Sequence, residues 1–63
     1  MSNRKGKTIT GQAAFCFMLM DRIKGNIDGR EKGGMERQHT KTAIQREITE
    51  LRAALLELSK MID

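Results

Sequence analysis

The chain reads as all-α: a two-helix antiparallel hairpin, dimerising into a four-helix bundle. Three observations lead there. Residues 13–20 are eight apolar residues in an unbroken row, inside a chain of 63. Residues 44–62 carry a strict heptad pattern. Between the two lies a polar stretch in which Gly25, Gly29, Gly33 and Gly34 gather, and the chain contains no Pro. Without proline or β-branched runs, propensity favours helix over sheet.

The size of the chain sharpens the prediction. A domain of about 60 residues buries only ~60% of the surface its unfolded chain exposes, so it is marginal alone. Scaffolds this small usually rely on disulfides, a metal or a partner subunit. Cys16 is the only cysteine and His39 the only histidine. A disulfide within the chain is excluded, and a structural zinc site with its four ligands cannot be completed. No cofactor is expected. Association with a second copy is the remaining staple.

Residues 1–8 are polar, basic and aperiodic, and read as a disordered arm. Helix 1 is expected at about 10–27, with Thr8 or Thr10 as its N-cap. Ile9, Ala13, Cys16, Met20, Ile23 and Ile27 recur at alternating spacings of four and three, which is one helical face. Phe17 lies beside that stripe. Phe15, Met18 and Leu19 fall on other faces, so the helix is apolar nearly all round and needs cover on several sides.

A glycine-rich connection is expected at about 28–34. Helix 2 is expected at about 35–62, beginning as early as Met35 or as late as Thr42, with Thr40, or Thr42 within a capping box, as the caps of the later start. Ile48, Leu55 and Ile62 take heptad a positions, and Ile44, Leu51 and Leu58 take d positions. Ala54 and Met61 at g widen the stripe, which suits a helix with two neighbours. Arg46 with Glu50, and Glu57 with Lys60, are spaced to pair on the outer face. The expected core, within and between copies, is Ala13, Cys16, Phe17, Met20 and Ile23 with the six a and d residues of helix 2. Phe15, Leu19 and Leu56 remain as anchors for a partner.

Charge supplies the rival reading. The net charge is +4, and residues 1–41 carry nine Lys or Arg against four Asp or Glu. A basic half suits nucleic acid, an acidic protein or an anionic membrane. Arg22, Lys24, Arg30, Lys32 and Arg37 surround the connection and are the candidate phosphate contacts. Single-strand and RNA binding commonly add stacking aromatics. Here both Phe residues lie in the apolar run.

Chemistry finds little to work with. A catalytic thiol at Cys16 needs a positioned base, and His39 is far away in a polar stretch. The acidic residues lack the spacing of a metal loop. The apolar run is too short for a membrane span of about 20 residues, and no small-residue cleavage site follows it. The sequence therefore predicts a non-enzymatic, cytoplasmic, homo-oligomeric protein that binds another protein. Nucleic-acid binding is the alternative, and membrane association is disfavoured.

Overall fold

A computed structural model describes residues 8–62. Two α-helices, α1 (Ile9–Glu31) and α2 (Lys41–Ile62), run antiparallel, joined through one turn of 3-10 helix at Arg37–His39. The all-α hairpin is as the periodicity requires. The basic arm expected over residues 1–8 lies outside the described residues, apart from Thr8.

Thr8 starts α1. Its backbone is extended, and its hydroxyl accepts from the Gly11 N–H at 2.8 Å. Its carbonyl accepts the first helical bond, from Gln12 N–H, at 2.9 Å. The helix continues past residue 27 to Glu31, through Gly25 and Gly29. A mid-helix glycine costs only about 1 kcal/mol relative to Ala, too little to stop a helix whose next turn still packs. The stop comes at Gly33, whose φ of 85° places it in the left-handed region. There Gly33 N–H donates to the Arg30 carbonyl at 3.0 Å, and Gly34 N–H to the Gly29 carbonyl at 2.8 Å. This pair of bonds is a Schellman termination, which wants glycine at that position because a Cβ is strained there.

The second helix begins at Lys41, at the late end of the expected range rather than at residue 35. Of the two caps expected, Thr40 is used: its hydroxyl accepts from the Ala43 N–H at 3.2 Å and donates to the Arg37 carbonyl at 2.9 Å. Residues 35–40 are spent on the reversal instead. They carry His39 back against α1, where its imidazole lies over Gly29 and Gly34. Each glycine leaves room that a Cβ would fill.

The core is small and lies along the α1–α2 seam. Cys16, Leu19, Ile23, Leu51 and Ala54 form one buried cluster, with Leu58 packed against it. Ile44 is also buried. The seam on α1 is Gln12, Cys16, Leu19, Ile23 and Asn26, rotated from the expected stripe. The rotation is possible because its two polar ends find partners. Gln12 Nε2 donates to the Ala54 carbonyl at 3.0 Å, and Asn26 Nδ2 to Glu47 Oε1 at 2.7 Å. Buried polar groups so paired are tolerated.

Candidate interaction face

The rotation decides which residues are left in water. On α2 the d positions Ile44 and Leu51 are buried, Leu58 is half-buried, and Ala54 at g is buried. The a positions are not: Ile48 is 39% exposed, Leu55 47% and Ile62 62%. On α1, Cys16 and Ile23 face α2, whereas Ala13 is half-buried and Met20 is exposed. Phe17, expected in the core, is the most exposed of these, because α1 turns it away from the seam.

The residues left out are not scattered. Ala13, Phe17, Met20 and Leu55, together with Cys16 and Leu58 of the core, line one groove of ≈ 200 Å³ between the helices. Ile27 follows Met20 by two helical turns, and the two line the continuation of this side toward the connection, beside Lys24, Asp28 and Glu31. Ile48 and Ile62 flank Leu55 by one heptad each way. The two sequence stripes therefore converge on a single side of the hairpin. No charged residue lines the 200 Å³ groove.

The opposite side differs in character. Its groove, ≈ 590 Å³, is lined by Phe15, Leu19, Ala53 and Ala54, with Arg22, Glu50 and Glu57 among its walls. Leu19 corrects an expectation: it is the best-buried core residue at 3% exposure, so it is no surface anchor. It lies between Cys16 and Ile23 in helical spacing, which puts it on the seam. Phe15 and Leu56 do stand exposed.

The five cations are divided. Arg22 borders the larger groove, while Lys24 lies on the other side of α1, near Asp28 and Glu31. Lys32 pairs with Asp28 at 3.2 Å, and Arg30 Nη1 donates to the His39 carbonyl at 3.2 Å. Arg37 sits in the 3-10 turn. Among the described residues, Lys32–Asp28 is the one ion pair, so the pairs expected on the outer face of α2 are not formed. Exposed i,i+3 and i,i+4 pairs are worth only tenths of a kcal/mol, little against the entropy of holding two long side chains.

Cys16 is a free thiol buried in the core. His39 is half-buried, its Nδ1 enclosed without a hydrogen-bond partner. Among the described residues no three His, Cys, Asp or Glu side chains lie close enough to share a metal ion. No helix there is long and apolar enough to cross a membrane.

Gln12, Asn26 and the His39 niche were not foreseen from the sequence. Each is polar, and a hydrophobic stripe cannot announce a polar side chain held in place by one hydrogen bond or one glycine gap. No protein-family model matches the chain, and no curated protein or solved structure matches it.

Proposed function

We propose that the protein is a non-enzymatic interaction module: a cytoplasmic helical homodimer that binds a partner protein by covering part of its surface. One observation carries this reading. Among the described residues, the hairpin buries six apolar side chains, leaves eleven large ones exposed, and brings no large side chain below 2% exposure. A domain usually leaves apolar residues exposed singly, and contiguous patches mark sites of association. Self-pairing uses one side of the hairpin. Phe15, against the other groove, and Leu56, on the outer surface of α2, are left for the partner.

The test uses the purified chain as bait in an extract of its host. The double variant Phe15→Ser, Leu56→Ser is expected to keep the wild-type mass and to lose the captured protein. A double variant that captures as well as wild type contradicts the assignment of anchors. Binding to random RNA or DNA at low salt, weakening steeply as salt rises, is the contrary result for the class of partner. It would move the function to Arg22, Lys24, Arg30, Lys32 and Arg37.

A further inference from the structure

We infer that the side of the hairpin centred on Met20 and Leu55 is the face on which a second copy of this chain docks, by a two-fold axis, closing a four-helix bundle. The inference deepens the homodimer reading above and rests on it.

Area is the first argument. At their fractional exposures, Phe17, Met20, Ile27, Ile48, Leu55 and Ile62 leave on the order of 600 Å² of mainly apolar surface in water. That is more than a tenth of the chain's 4903 Å². A standard interface covers about 800 Å² per partner, of which ~65% is apolar in homodimers. Fully covered, the face supplies the apolar share of one standard-size interface.

Register is the second argument. The a positions of α2 are the residues a two-neighbour helix offers to its second neighbour. Here g and d are taken up by α1, and a stands in water. On α1 the same holds for Ala13 and Met20 beside Cys16 and Ile23. Both stripes lean to the same side of the seam, so one hairpin laid face to face on another covers both.

Shape is the third. A two-fold interface is one patch meeting itself, so projection and recess must share that patch. Phe17 projects at 77% exposure beside the ≈ 200 Å³ groove that Ala13 keeps open. Pairing by a two-fold axis offers the Phe17 of each copy to the groove of the other. Charge does not distinguish the sides, since one cation and two carboxylates line the opposite groove and Lys24, Asp28 and Glu31 line the continuation past Met20; the projection of Phe17 beside an apolar recess does.

The chain contains its own control. Met18 and Met20 are nearly equally exposed in the single hairpin, at 53% and 51%, but lie on different sides of α1. Peroxide oxidation of each, read by tandem mass spectrometry at a series of protein concentrations, separates the faces. Met20 is expected to oxidise at least about tenfold more slowly than Met18 when the chain is concentrated, and at a similar rate on dilution. Equal rates at every concentration, or protection of Met18 instead, overturn the inference.

Leu55→Asp supplies the complementary test by sedimentation, with helix content checked by circular dichroism. The two-fold axis counts the substitution twice, so the dimer Kd is expected to rise roughly 1000-fold. A helical Leu55→Asp chain with wild-type Kd contradicts the inference, whatever its oxidation pattern. A wild-type chain that stays monomeric at every concentration ends the functional reading together with this one. A chain that self-associates with Met18 protected ends only the choice of face.

Discussion

Gly29 shows how a single residue can carry opposite effects in different contexts. It lies inside α1, where replacement by Ala should stabilise the helix by about 1 kcal/mol. Yet a Cβ there falls within the His39 imidazole, and the same is true at Gly34. Gly29→Ala is therefore expected to destabilise the wild-type chain by about 1 kcal/mol or more, through ejection of the ring. In a His39→Ala background the sign is expected to reverse. Urea melts of the four chains of that cycle check it. Additive effects would show that the imidazole does not occupy the niche. Gly25 is the contrast, since a Cβ there meets nothing within 4 Å. Gly25→Ala is expected to stabilise by about 0.5–1 kcal/mol, a rise in Tm on the order of 5 °C. Gln12 is the polar counterpart: losing its bond to the Ala54 carbonyl in Gln12→Ala is expected to cost about 1 kcal/mol. An unchanged melt would mean that the bond adds nothing to the seam.

At the scale of elements, the two helices are stabilised differently. The heptad pattern of α2 was plain in the sequence because its apolar residues keep to one stripe. The extent and the termination of α1 were harder to read. Its apolar residues ring the helix, so periodicity alone does not choose which face meets α2. The structure chooses the face that ends in Gln12 and Asn26, whose hydrogen bonds no hydropathy pattern encodes. The start of α2 was legible only as two competing threonines, since Thr40 and Thr42 have the same capping chemistry; the 3-10 turn favours Thr40. These differences give α2 two kinds of leucine. Leu51, 8% exposed on the seam, is expected to cost about 2–4 kcal/mol on replacement by Ala, as a loss within the hairpin. Leu55, nearly half exposed, is expected to cost little within one hairpin. Its effect on Tm should instead depend on protein concentration, because assembly stabilises by mass action. Identical concentration dependence for Leu51→Ala and Leu55→Ala, measured by thermal melts over a hundredfold dilution, would remove the distinction.

For the whole molecule, the question is how so short a chain stays folded. Cys16 is its only cysteine, and the buried cluster comprises just five side chains with Leu58 against them. A core of that size is weak against the entropy of ordering the chain. In the proposed dimer a second hairpin closes that gap, laid on the side where both heptad stripes emerge. Sedimentation equilibrium on the wild-type chain tests this most directly. The expected result is one reversible monomer–dimer equilibrium, approaching twice the 7.1 kDa chain mass at high concentration and going no further. A folded, helical species that keeps the mass of a single chain at every concentration would contradict it, as would a mass that continues to grow.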